Sequence, residues 1–176
     1  PSEVEIQSGL QFYDGISTDE IQGILIKSAS DLISLDQPNY QFVAARLLLF
    51  SLRKSLYGKL FEIPHLQEHI NRCVESGVYD PAVKDKFTVG EINEIEKFLD
   101  HDRDYLFTYA GLRQVADKYL VQDRSSGQVY ETPQFMYVLI AMTMFAEYDR
   151  GTRLNYIRKY YDAISKHKIN IPTPIM

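Results

Sequence analysis

The sequence predicts a mainly α protein, a bundle-like helical domain carrying one small β-hairpin. Three observations predict it. Apolar residues recur at three- and four-residue spacing along most of the chain, and helix-start signals stand before several of those runs. One short stretch of strand-like residues around a glycine turn breaks that rhythm.

The elements follow in order. Residues 1–16 are short and mixed, with Phe12-Tyr13-Asp14-Gly15 reading as an aromatic patch that ends in a turn. Ser17 with Glu20 forms a capping box, in which the hydroxyl accepts a free amide and the carboxylate reaches back. Behind it Ile21, Leu25, Ala29, Leu32 and Ile33 predict a helix to about Leu35. Asp36-Gln37-Pro38-Asn39 ends it and starts another, which runs to about Tyr57 through Phe42, Val43, Leu47, Phe50 and Leu52. Leu48 and Leu49 widen its apolar arc, so this helix is expected to be central. Gly58 stops it.

Pro64 suits the first turn of a third helix, with Leu66, Ile70, Cys73 and Val74 inward. Gly77 and Asp80-Pro81 punctuate. Thr88 with Glu91 is a second capping box, opening a helix through Ile92, Ile95, Phe98 and Leu99 that continues or kinks near His101. Tyr109, Leu112, Val115 and Tyr119 mark a further helical stripe. Residues 119–124 and 128–131 then flank Ser125-Ser126-Gly127 as the predicted hairpin. Thr132-Pro133 reads as a cap and first-turn proline, leading into Phe135, Met136, Leu139, Met142 and Phe145. Residues 149–152 break that helix, and Leu154, Ile157, Tyr160, Tyr161 and Ile164 mark the last. The tail from Lys168 reads extended. It ends on Ile175-Met176 with no polar taper, which suggests a piece of something longer.

Composition narrows the class. A chain of 176 residues can bury about 70% of its unfolded surface, enough for a core without disulfides. Apolar residues make up 45% and charged residues 24%, which excludes disorder. The net charge of -5 argues against a DNA-binding role through phosphate contacts. Cys73 is the single cysteine, so it has no disulfide partner within the chain and makes no thiolate metal site alone. No apolar run approaches the eighteen residues of a membrane span, and the N-terminus lacks a signal-peptide pattern. The expectation is a soluble, cytoplasmic protein with no membrane partner.

Short catalytic motifs are missing: no phosphate-binding glycine fingerprint, no zinc helix, no nucleophile elbow. His65 and His69 lie four apart on one predicted helix and can hold a metal if folding brings a third ligand. The plainer reading is a pair of solvent-facing histidines opposite Leu66, Ile70 and Cys73, and no metal site is expected. Asp100, His101, Asp102, Arg103 and Asp104 form a denser cluster. Its carboxylates can divide acid and base roles, or can form an ion network around Arg103. The network is the plainer reading. Arg153, Arg158, Lys159, Lys166 and Lys168 gather in the last helix and its exit, as a solvated face or a site for an anion. Cys73, on an apolar face without a base nearby, reads as a buried structural thiol. No residue of this chain is assigned a catalytic role.

Several strings, taken together, resemble the N-terminal region of the large, catalytic subunit of aerobic class I ribonucleotide reductase, in its bacterial and phage branch. They are Phe12-Tyr13-Asp14-Gly15, Tyr40-Gln41-Phe42-Val43-Ala44-Ala45-Arg46-Leu47, Asp100-His101-Asp102-Arg103-Asp104, Lys118-Tyr119-Leu120-Val121-Gln122-Asp123-Arg124, Glu131-Thr132-Pro133-Gln134-Phe135 and Ile171-Pro172-Thr173-Pro174-Ile175-Met176. They stand in the family's order and spacing and cover essentially the whole chain. The resemblance implies the last helices of an ATP-cone-like region over 1–57, a helical domain over 58–170, and the start of an α/β barrel over 171–176.

The resemblance also implies a function. Ribonucleoside diphosphates become deoxyribonucleoside diphosphates when a cysteine radical abstracts the 3'-hydrogen and the 2'-hydroxyl is replaced by hydrogen. The family's reacting cysteines lie beyond Met176, and Cys73 matches none of them, so this portion is expected to be inactive alone. Thr173 matches a threonine that binds substrate phosphate. Thr18 and Lys54 match positions near the activity effector, while Gln22 stands where some members carry a base-contacting histidine. The Asp100–Asp104 cluster matches scaffold. Implied cofactors are none within this portion, ATP and dATP as effectors of the full subunit, and a di-iron centre in the small subunit. Implied partners are the remainder of the large subunit, a second large subunit and the radical-generating small subunit. The implied location is the cytoplasm, a host's cytoplasm if the protein is phage-encoded. Two other readings stand beside it: a non-catalytic helical interaction module, and a small-molecule regulatory domain built around Thr18 and Lys54.

Overall fold

The structure is a computed structural model and describes residues 2–58 and 62–171. Among those residues its regular elements are α1 (Glu3–Gly9), α2 (Thr18–Asp31), α3 (Tyr40–Tyr57), α4 (Leu66–Glu75), α5 (Ala82–Lys86), α6 (Val89–Glu96), a 3-10 turn (His101–Leu106), α7 (Tyr109–Lys118), α8 (Pro133–Met144) and α9 (Arg153–Ser165).

Both predicted capping boxes form. Glu20 N–H donates to Ser17 Oγ at 3.2 Å while the Glu20 carboxylate accepts Ser17 N–H at 2.9 Å. Glu91 and Thr88 repeat the arrangement at 3.2 and 2.9 Å. A third box, Ser2 with Glu5, opens α1. Helices α1 and α5 were not expected, because seven and five residues are too few to display a 3.6-residue period. Helix α2 stops at Asp31, short of Leu35, which is fully exposed. Gly58 ends α3 with φ 71°, its N–H donating to Lys54 O at 2.8 Å. Pro64 precedes α4 rather than entering it, and His65 takes the cap position.

Two clusters of buried side chains share one helix. Helix α3 packs against α2 on one side and α7 on the other. Ala29 and Ala44, both without exposed surface, bring α2 and α3 close in the smaller cluster with Val4. Leu48, Leu49 and Leu52 of the same α3 enter the larger core, built on α4, α6, α7, α8 and α9. Helix α3 is thus covered on more than one side, as expected, and α8 is deeply buried as well, with residues 133–138 buried without interruption.

The expected β-hairpin is corrected. Among the described residues there is no strand, and the segment holds only an antiparallel bridge between Gln122 and Val129. The turn itself forms, with Asp123 Oδ1 accepting Ser125 N–H at 2.8 Å and Gly127 N–H donating to Asp123 O at 2.7 Å. The arms do not extend, because a side chain competes for them. They exchange two backbone bonds, Asp123 N–H to Gln128 O at 2.8 Å and Tyr130 N–H to Val121 O at 2.9 Å, but Val121 N–H donates to the Glu131 carboxylate at 2.8 Å instead of continuing the pairing. Backbone groups satisfied by side chains are not available for a ladder. The expected barrel start is corrected as well: the described residues end at Ile171 in irregular conformation, with no barrel onset, and residues 172–176 lie outside them.

Candidate functional site

The residues matched to an effector region sit where α2 begins beside the second half of α3. Thr18 is the first residue of α2 and is exposed. One residue on, Asp19 Oδ1 stands 3.8 Å from Lys54 Nζ. One turn on, Gln22 Nε2 donates to Leu47 O at 2.9 Å. Gln22 thus ties the two helices, and Lys54 lies near the N-terminal end of α2. Thr173 lies outside the described residues.

The Asp100–Asp104 cluster occupies the 3-10 turn, and its carboxylates serve different partners. Asp100 caps the turn, with Oδ1 accepting Asp102 N–H at 3.1 Å. Asp102 is exposed. Asp104 is buried, with Oδ1 accepting from Gln134 Nε2 at 2.9 Å and Oδ2 from Arg53 Nη2 at 3.0 Å. Burial pushes the Asp104 carboxyl up to about 6, against the pull of Gln134 and Arg53. Arg103 spans Asp100 at 3.3 Å, Asp162 at 2.7 Å and Ser165 Oγ at 2.6 Å, with its guanidinium over the Tyr161 ring. His101 packs edge-on against Phe135, and burial, then the Arg53 charge, holds its ring down at about 4. The chemistry available here is to tie α3, α8 and α9 to one turn.

His65 and His69 part company. His65 is exposed and faces Glu96 Oε1 at 3.3 Å. His69 has no exposed surface and stacks on Phe135 with ring centroids 3.9 Å apart. It lies on the Leu66, Ile70 and Cys73 face, not opposite it, which corrects the solvent-facing reading. Its Nε2 meets Tyr79 Oη at 2.9 Å, and that hydroxyl donates to the Glu131 carboxylate. Glu131 is 2% exposed, and burial lifts it to about 7. Residue separations of 10 and 52 kept this relay out of reach of any local pattern. Cys73 is buried beside it, and burial pushes its thiol up. Of the basic residues gathered in the last helix, Arg153 is also buried, bonded to Glu91, Ala146 O and Lys86 O. Among the described residues no group of three or more His, Cys, Asp or Glu is disposed to hold a metal ion, and no helix is long and apolar enough to cross a membrane.

Residues 105–176 match the family described as ribonucleotide reductase, all-alpha domain. Over 175 residues, 99% of its length, the chain is 50% identical to ribonucleoside-diphosphate reductase 1 subunit alpha of Escherichia coli strain K12, of which it covers 23%. It is 43% identical over 98% of its length to the ribonucleoside-diphosphate reductase subunit alpha of Enterobacteria phage T4, again covering 23%. The Helicobacter pylori subunit alpha is 34% identical over 99% of the chain, which covers 21% of it. The chain therefore spans between a fifth and a quarter of these relatives (21–23%). It belongs to the ribonucleoside-diphosphate reductase alpha-subunit family, as an N-terminal portion of the large subunit of the bacterial and phage class I type.

Proposed function

We propose that the protein to which this chain belongs reduces ribonucleoside diphosphates to deoxyribonucleoside diphosphates by cysteine-radical chemistry, and that this portion supplies scaffold and an effector region rather than reacting groups. The observation that carries the reading is 50% identity maintained over 99% of the chain with a reductase subunit alpha. The burial of Cys73, the single cysteine, supports the second half, since a buried thiol held up in pKa is a poor thiolate. On this reading residues 1–57 are the last part of an ATP-cone-like region and 58–170 are the helical domain. Thr18, Gln22 and Lys54 are what remains of the effector site for ATP or dATP, and Thr173 contacts substrate phosphate. Asp100, His101, Asp102, Arg103 and Asp104 brace the scaffold. The partners are the remainder of the large subunit, a second large subunit and a small subunit with a di-iron centre, all in the cytoplasm.

The test is reconstitution. Native mass spectrometry of this chain co-expressed with the rest of a subunit alpha is expected to show a stable complex. That complex, with the small subunit added, is expected to reduce CDP, while the chain alone does not. A stable complex without turnover would retire the proposed activity. A separate titration of the chain with ATP and dATP tests the effector region, since a ligand that binds only the folded state raises Tm. No shift with either nucleotide would remove that assignment.

A further inference from the structure

A cavity of about 380 Å³ opens between the loop before α5, α5 itself and α8, and it contains none of the residues assigned above to an effector, a substrate phosphate or the Asp100–Asp104 turn. Its walls are largely apolar, with Val83 and Phe87 on one side and Met136, Leu139 and Ile140 on the other. Its volume lies in the range of small-molecule sites, and its methionines give it walls that adapt to shape. Its polar lining residues are Tyr79, Asp80, Lys86, Tyr119, Glu131 and Thr143, and of the two carboxylates Asp80 is exposed whereas Glu131 is buried.

Glu131 is the unusual member. A carboxylate has about four lone-pair positions. The hydrogen bonds seen at Glu131 come from two neutral donors, the Tyr79 hydroxyl and Val121 N–H. Among the described residues it forms no ion pair with a lysine or arginine; Lys86, which also lines the cavity, is paired with Glu147 at 2.8 Å. Burying a carboxylate without a cation is costly, and a cation that arrives with a ligand removes that cost.

We propose that this cavity is a binding site for a small apolar amine: the protonated amine docks on the Glu131 carboxylate and an aromatic or branched body fills the space between Phe87 and Ile140. This goes beyond the reductase reading and does not depend on it. Tyr79 fixes the carboxylate from one side, leaving the ammonium to approach from the cavity. Selectivity for an amine over a neutral molecule of the same shape is the signature, because a charge-assisted hydrogen bond contributes about 1.5–3 kcal/mol, roughly tenfold or more in affinity.

The experiment is a titration of the full chain with 2-phenylethylamine and, separately, 2-phenylethanol. It is followed by the NMR methyl signals of Met136 and Met144, at about pH 8, where the amine is protonated and the carboxylate ionised. The amine is expected to shift both methyls saturably, and the alcohol to bind about tenfold more weakly or not at all. Glu131→Gln, which keeps a carbonyl oxygen for Val121 N–H and turns its amide nitrogen toward the Tyr79 hydroxyl, is expected to bring the amine down to the alcohol's affinity. Val83→Phe, which fills the cavity without touching Glu131, is expected to abolish both. Equal binding of amine and alcohol would overturn the proposal, as would unchanged amine binding in Glu131→Gln or no saturable shift in the unsubstituted chain.

Discussion

Arg53 of α3 donates through Nη2 to Asp104 Oδ2 at 3.0 Å, with both side chains closed to solvent and 51 residues apart in sequence. The same Arg53 nitrogen donates to His101 O at 2.8 Å, so one guanidinium holds the 3-10 turn at two points. Among the described residues the buried Arg53 Nε has no partner, so the pair is incompletely compensated. Breaking it from one side strands a buried charge; replacing both sides does not. Arg53→Met is therefore expected to cost about 3–5 kcal/mol. Arg53→Met combined with Asp104→Leu is expected to recover much of that loss, measured as urea unfolding midpoints in a double-mutant cycle. Additive losses would show that the two side chains act independently.

His69 and Glu131 are linked through Tyr79 and titrate in opposite senses. Burial, with Arg72 and His101 adding to it, lowers His69 from its ordinary 6.5 to about 3. Burial raises Glu131 from 4.5 to about 7. Between about pH 4.5 and 6.5 the unfolded chain binds a proton at His69 that the folded chain refuses. Over the same range the folded chain keeps a proton at Glu131 that the unfolded chain releases. The first makes stability rise with pH and the second makes it fall, each by about 1.4 kcal/mol per pH unit, so the two cancel. Relative to the unsubstituted chain, Glu131→Gln is expected to tilt stability upward with pH in this window. His69→Gln is expected to tilt it downward. Urea titrations at several pH values read both slopes, and tilts of the same sign would refute the assignment.

Arg153 meets three acceptors that point different ways. Its Nε donates to Glu91 Oε1 at 2.8 Å, Nη1 to Ala146 O at 3.0 Å and Nη2 to Lys86 O at 2.8 Å, with the guanidinium over the Phe87 ring. Glu91 divides its oxygens, Oε2 closing the Thr88 capping box and Oε1 receiving Arg153. A lysine ammonium has no planar fork to reach all three. Arg153→Lys is expected to destabilise by about 2–3 kcal/mol, while the same change at exposed Arg158 stays within about 0.5 kcal/mol. Thermal unfolding of the two variants side by side measures the difference.

What the sequence reveals divides by range. Capping boxes at Ser17 and Thr88 were legible because their partners are three residues apart. The Gly58 stop was legible because glycine takes a positive φ without strain. The burial of His69 follows from its spacing rather than its residue type: it lies three residues after Leu66 and four before Cys73, on their face. The hairpin failed for another reason, since the turn chemistry was right but the Glu131 carboxylate took Val121 N–H, which a longer ladder needs. Arg53 with Asp104 and Tyr79 with Glu131 join segments more than 50 residues apart, and no local pattern encodes such pairs.

Gly23 and Gly58 give one substitution with two signs. Gly23 lies inside α2, and a Cβ there would meet nothing within 4 Å. Its backbone is helical, so alanine costs no strain and restricts the unfolded chain. Gly23→Ala is expected to stabilise by about 0.5–1 kcal/mol. A Cβ at Gly58 also meets nothing within 4 Å, but φ there is 71°. The left-handed conformation that closes α3 through the Lys54 carbonyl is one that alanine adopts only under strain. Gly58→Ala is expected to cost about 1–2 kcal/mol. Since neither site has a steric neighbour, opposite shifts in the urea midpoint isolate backbone conformation as the cause. Two stabilising shifts would mean that α3 ends without the left-handed turn at Gly58.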